Sequence, residues 1–109
     1  MLKVKVDIKN YTVTMRGHAD FAENGKDIVC AGASTLLYTL ANTLEEFRTA
    51  MTELPSFTIS GEGEKQRVIY RCKPNEEYEP NVQLVFMTVT TGFNLLAKNY
   101  PDNIKLTVI

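Results

Sequence analysis

Apolar and polar residues alternate at the start of the chain. Leu2, Val4, Val6 and Ile8 are separated by Lys3, Lys5, Asp7 and Lys9, the two-residue period of a half-buried strand. After Asn10 the alternation resumes, with Tyr11, Val13 and Met15 set against Thr12, Thr14 and Arg16. A hairpin centred near Lys9-Asn10 is the economical reading. Gly17 ends the second strand, and no period holds from His18 to Val29, where Asn24 and Gly25 are turn formers. From about Cys30 the period becomes helical. Ala33, Leu36, Leu37, Leu40, Ala41, Leu44, Phe47 and Met51 form one apolar stripe, and Pro55 closes the unit. Small residues from Ala31 to Ser34 crowd the first turn, so another group is expected to approach that helix end closely.

Phe57 and Ile59, then Val68, Tyr70 and Cys72, alternate with polar or outward positions on either side of Gly61-Glu62-Gly63. This predicts a second hairpin. A glutamate-rich connection follows, and Pro80 suits the first turn of a helix, where its missing N–H costs nothing. Val82, Val85, Phe86, Val89, Phe93, Leu96, Ala97 and Tyr100 make a second helical stripe, interrupted by Gly92 and ended before Pro101. Ile104, Leu106 and Val108 alternate as a last strand. The order is ββαββαβ. It predicts an α+β domain, a largely antiparallel sheet with both helices on one face.

Length and charge narrow the function classes. The 109 residues make one domain, 1–109, long enough to bury roughly 60–70% of its extended surface. Twelve basic residues against thirteen acidic leave a net charge of −1. No strong overall field is available to collect nucleic acid or anionic lipid, so neither direct nucleic-acid contact nor membrane binding is expected. No apolar run approaches the ~20 residues of a membrane span, and no secretory pattern follows Met1. Two cysteines in that context read as reduced cytoplasmic thiols. One histidine and two cysteines fall short of a structural zinc set, and neither metal nor cofactor is expected.

The chemistry concentrates between Gly17 and Ser34. His18 is the chain's one histidine, and Cys30 stands at a helix start, where the helix's positive end favours thiolate over thiol. An imidazole brought back beside it by the loop would complete a nucleophile–base pair. A helix-start N–H could also bind a tetrahedral oxyanion. Read without any motif, Cys30 is equally a small buried residue, and His18 is more often a satisfied loop histidine.

The pattern Gly17-His18-Ala19, a short loop, then Gly25-x-Asp27-x-Val29-Cys30-Ala31-x-x-Ser34 closely resembles the bacterial ribosomal-processing cysteine protease family. The resemblance is dense over residues 17–34, and chain length and element order support it elsewhere. It implies a cytoplasmic, homodimeric endopeptidase that removes the short N-terminal extension of a large-subunit ribosomal protein precursor, cutting after paired aromatic residues. Cys30 would be the nucleophile and His18 the general base and acid. It also implies a mobile loop over residues 19–29.

The supporting positions carry open alternatives. Gly17 and Gly25 match the pattern without a settled role. Asp27 reads first as a helix cap or loop-ordering group, and second as an orienter of His18. Phe21 is an apolar residue in a polar loop, placed to dock on substrate or on the core. Ser34, one turn past Cys30, could bond the thiol, bond the substrate backbone or permit close packing. Asp20 reads as a solvated loop charge, Cys72 as core, and Lys3, Lys5 and Lys9 as a solvated strand face. The rival function is a non-enzymatic ribosome-associated binding module. A thiol redox protein is weaker, because no C-x-x-C pair would resolve an oxidised Cys30.

Overall fold

A computed structural model describes residues 1–23 and 26–109; Asn24 and Gly25, including the proposed turn and the Gly25 motif position, lie outside the described residues. The elements are β1 (Leu2–Asp7), β2 (Thr12–Arg16), α1 (Ile28–Glu45), β3 (Met51–Ser60), β4 (Arg67–Pro74), α2 (Glu79–Asn99) and β5 (Ile104–Val108), with short 3₁₀ turns between some of them. They follow the ββαββαβ order. The strands form one sheet in the order β3-β4-β2-β1-β5. Every pairing is antiparallel except the parallel β1–β5 pair.

The two-residue period explains why one face is dry. Leu2, Val4 and Val6 of β1, Val13 and Met15 of β2, Tyr70 and Cys72 of β4 and Ile104 of β5 all point into a single core. That core is completed by Val29, Ala33, Leu37, Leu40 and Leu44 of α1 and by Val82, Phe86, Val89 and Phe93 of α2. Both helices therefore cover the same face of the sheet. Gly92 lets them close: a Cβ there would stand 2.4 Å from Leu36 Cδ2 of α1. The threonines of α2 satisfy their hydroxyls within the helix, Thr88, Thr90 and Thr91 each donating to the carbonyl four residues earlier. Cys72 is buried, as its place in the alternation predicted, and burial pushes its thiol up to about 11.

Two expectations are corrected. The first helix does not run to Met51; it ends at Glu45, Phe47 is exposed, and Met51 opens β3 opposite Pro74. The helical spacing of Phe47 and Met51 is coincidental, because Met51 reaches the core from a strand. Pro55 does not close the unit but lies inside β3. That strand is at the sheet edge and slips register between Met51 and Ser56, the setting in which a residue without N–H is tolerated. The second correction concerns Tyr11, which precedes β2 in a left-handed turn (φ 49°). Asp7 accepts from both the backbone and side-chain nitrogens of Asn10, tightening that turn. Tyr11 still reaches the core, packing edge-on against Phe86 at 5.7 Å.

Gly17 leaves β2 with φ +80°, and a Cβ would meet the carbonyl oxygen of Met1 at 2.8 Å. A left-handed alanine costs roughly 1–2 kcal/mol before any clash. Gly17→Ala should therefore lower stability by about 1–2 kcal/mol in urea denaturation; an unchanged midpoint would show that the turn reshapes freely.

Candidate active site

Asp27 builds the site. It is the N-cap of α1 and its Oδ1 accepts from the backbone N–H groups of Val29 and Cys30, both at 3.0 Å. Its other oxygen accepts from Phe21 N–H at 2.9 Å and Ala22 N–H at 3.4 Å. One carboxylate thus starts the helix and folds residues 21–22 back over that start. Burial alone would raise its pKa, but the N–H donors of Cys30, Phe21, Ala22 and Val29 outweigh burial and hold it below the usual value. All four bonds are to backbone; Asp27 does not bond His18.

Cys30 is half-buried in the first turn of α1, and its Sγ accepts from Ala19 N–H at 3.3 Å. Ala19 is buried, and its carbonyl accepts from Asn103 Nδ2 at 3.0 Å. The residue next to His18 is therefore clamped between the thiol and the turn before β5. His18 itself is half-buried and makes no hydrogen bond among the described residues; none joins it to Cys30. The two side chains line one groove of about 1010 Å³. Ser34, Met15, Tyr38, Ile59 and Val68 also line it, so an apolar wall from the sheet and α1 faces the polar helix start. Tyr38 stacks on Phe57 at 5.4 Å, which fixes the far end of that wall.

The electrostatics differ from the expectation of an activated thiol. Burial pushes the Cys30 thiol up, the Ala19 N–H acts in the opposite direction, and the nearby Asp27 charge raises it further. The reason is the cap. Asp27 occupies the Val29 and Cys30 N–H groups and sets a negative charge at the helix's positive end. Those same N–H groups are not open to an oxyanion, which corrects that expectation for Val29 and Cys30.

The remaining motif residues have separate places. Phe21 does not line the groove; it packs edge-on against Tyr100, at the end of α2, with centroids 5.2 Å apart. Ser34 makes no side-chain hydrogen bond among the described residues and faces the groove. Gly17 begins the turn to His18, its N–H bonded to the Gln66 carbonyl at 3.0 Å. Asn103 was not singled out from the sequence. It sits in an ordinary-looking turn and contacts Ala19 across 84 positions, a distance at which local pattern carries no signal. The groove wall from Tyr38, Ile59 and Val68 was equally hidden, because those residues read only as helix and strand positions.

A thiol and an imidazole on one peptide-sized groove, held on an α+β scaffold, define a cysteine peptidase class of site. The model of the family described as cysteine protease Prp matches residues 1–105. The ribosomal processing cysteine protease Prp of Mycoplasma genitalium is 30% identical over 104 residues, covering 93% of this chain and 91% of that one. The Staphylococcus aureus protein of the same name is 32% identical over 94 residues, covering 86% and 82%. A crystal structure of the S. aureus protease with a covalently linked product peptide superposes with a TM-score of 0.74 at 26% identity, over all of both chains. The chain belongs to the Prp family and is a cysteine protease.

The Asp27 geometry has a testable consequence. An asparagine offers one acceptor oxygen, so Asp27→Asn can cap α1 or hold residues 21–22, but not both. We expect a loss of about 0.5–1 kcal/mol at neutral pH, in the lower range of cap removal, and faster amide exchange at Phe21 and Ala22. Because the folded-state pKa of Asp27 lies below its unfolded value, this contribution is present above about pH 4 and vanishes as pH falls through the folded value. Wild type and variant should converge in urea titrations near that acidic limit; a constant difference at all pH values would contradict the assignment.

Proposed function

We propose that this protease is an endopeptidase that removes a short N-terminal extension from a large-subunit ribosomal protein precursor in the cytoplasm, with Cys30 as nucleophile and His18 as base and acid. The observation that carries the proposal is the shared groove: the chain's one histidine and its half-buried cysteine both open onto it. The names of the M. genitalium and S. aureus relatives support the ribosomal substrate. The apolar wall of Met15, Tyr38, Ile59 and Val68 suits aromatic residues flanking a cleavage point. No helix among the described residues is long and apolar enough to cross a membrane.

The chemistry follows from the two side chains. His18 takes the thiol proton, and the sulfur attacks the scissile carbonyl carbon. The tetrahedral intermediate collapses as the C–N bond breaks, with the imidazolium giving its proton to the departing amine. Water, deprotonated by His18, then attacks the thioester, releasing the acid product and restoring the thiol. The Ala19 N–H, aimed at Sγ, stabilises the sulfur's negative charge during the first step. Burial pushes the free thiol up, so in this proposal its activation comes from the imidazole.

The protein acts as a homodimer in this proposal. Leu84, Met87 and Leu95 of α2 are 65%, 55% and 57% exposed and share the side of the helix turned away from the core. Such a stripe supports a protein contact on this side of the helix. Leu84→Glu with Leu95→Glu should convert a dimer to a monomer in analytical ultracentrifugation; a wild-type monomer would remove this part of the proposal.

The decisive experiment incubates the protein with the precursor's N-terminal peptide and identifies the products by mass. Cys30→Ala and His18→Ala should each remove nearly all cleavage while circular dichroism stays that of a folded protein. Iodoacetamide should alkylate Cys30 faster than Cys72, whose thiol is buried and lifted to about 11. Retained cleavage by Cys30→Ala would overturn the nucleophile assignment.

A further inference from the structure

The net charge of −1 conceals a strong segregation. On the sheet face away from the helices, Lys105, Lys3, Arg16 and Arg67 stand directly opposite one another across β5, β1, β2 and β4. Lys5, Arg71 and Lys73 point to the same face, and all seven side chains are exposed. Only Asp7 and Glu53 supply carboxylates from the strands there. None of the seven cations is ion-paired among the described residues. The rest of the surface is correspondingly acidic.

Like charges facing each other across strands are destabilising. A solvated sheet face could carry threonines or mixed charges at no such cost, so a four-cation row calls for a partner. Strands lie 4.7–4.9 Å apart, so the row runs about 14 Å across the sheet. That length meets several successive phosphates of a nucleic-acid strand. Between the cations lie Thr12, Thr14, Ile69 and Thr107, with Thr58 beside Ile69 on β3, and no aromatic side chain projects from the strands on this face. Backbone phosphates can be held there, but bases have nothing to stack on. A second copy of the chain is a poor occupant, because a two-fold contact through this face would set one cation row against the other.

We propose that the open face of the sheet docks on the phosphate backbone of RNA without reading its sequence, holding the protease beside its ribosomal substrate. The choice of RNA rests on the proposed processing of a ribosomal protein; the basic face itself does not. It also revises the expectation, drawn from net charge, that the chain makes no nucleic-acid contact.

The test is fluorescence anisotropy with a labelled 20-base-pair RNA duplex of arbitrary sequence, titrated at rising KCl. Binding should weaken with salt, with a log–log slope of about 3 or more. Lys3→Gln, Lys5→Gln and Lys105→Gln combined should cut affinity at least about tenfold and lower the slope by about 3. The same variant should cleave the precursor peptide at the wild-type rate, and its stability should be equal or higher, since repulsion is relieved. Lys98→Gln, on α2 and so on the opposite side of the sheet, should bind RNA like wild type. Three outcomes overturn the proposal: no binding at the lowest salt, equal loss in the control variant, or tighter binding to labelled polyglutamate than to the duplex. Peptide cleavage is read separately, so an unsubstituted protein that cleaves the peptide but does not bind the duplex rejects the docking face and leaves the protease reading standing.

Discussion

Four backbone N–H groups converge on the carboxylate of Asp27, and the active-site region depends on that convergence. Two of them belong to the first turn of α1 and two to the segment that leads away from His18. A helix start leaves its first N–H groups without intrahelical partners, and an ionised acceptor is the strongest way to satisfy them. Using the second oxygen for residues 21–22 makes one side chain set both the position of Cys30 and the course of the preceding loop. Ala19 completes the arrangement from the other direction, through its N–H to sulfur and its carbonyl to Asn103. The thiol is thus positioned by the first turn of α1, by the Ala19 backbone and, through Ala19, by the Asn103 side chain.

The sheet explains why this small support suffices. Gly17 turns the chain out of β2 immediately before His18, and its N–H is tied to the carbonyl of Gln66, just before β4. The imidazole therefore hangs from the end of a paired strand, while the thiol sits at the first turn of a helix packed on the same sheet. Two rigid elements meet at one groove. The alternate strand residues that make the core also supply its apolar wall, since Met15 and Val68 continue the inward-facing series of β2 and β4. Core packing and a substrate surface are here one continuous pattern.

Much of this was legible in the sequence, for identifiable reasons. Strands β1, β2, β4 and β5 are buried on one face only, so a two-residue period marks them directly. The inner stripes of α1 and α2 were visible for the same reason at helical spacing. The end of α1 was not, because no glycine or proline directly follows Glu45 and Phe47 prolongs the apparent stripe though it faces solvent. Strand β3 was masked at its start by Pro55, a strand breaker in the sheet interior that is harmless at an edge. In the site, His18 and Cys30 stood out by type and place, the family resemblance gave them their expected roles, and Asp27 read first as a cap. The double duty of Asp27, the Ala19 clamp and Asn103 depend on backbone direction and long-range closure, which composition and period do not encode. Net charge hides a feature of a different kind. It is a sum, and summing erases the separation of a basic sheet face from an acidic remainder.

The cap also sets a limit on how the thiol can be activated. A helix N-terminus lowers a thiol's pKa through its unpaired N–H groups and its positive end. Asp27 consumes the donors nearest Cys30 and places a negative charge beside them, and the sulfur is partly withdrawn from water. The same carboxylate cannot both stabilise the helix start and leave its field free for the nucleophile. Positioning has been favoured over standing reactivity. Burial and the Asp27 charge both act against the thiolate, which is the reactive form of a cysteine. Under the proposed mechanism its ionisation then falls to His18, and becomes favourable only when a peptide fills the groove and excludes water around the pair.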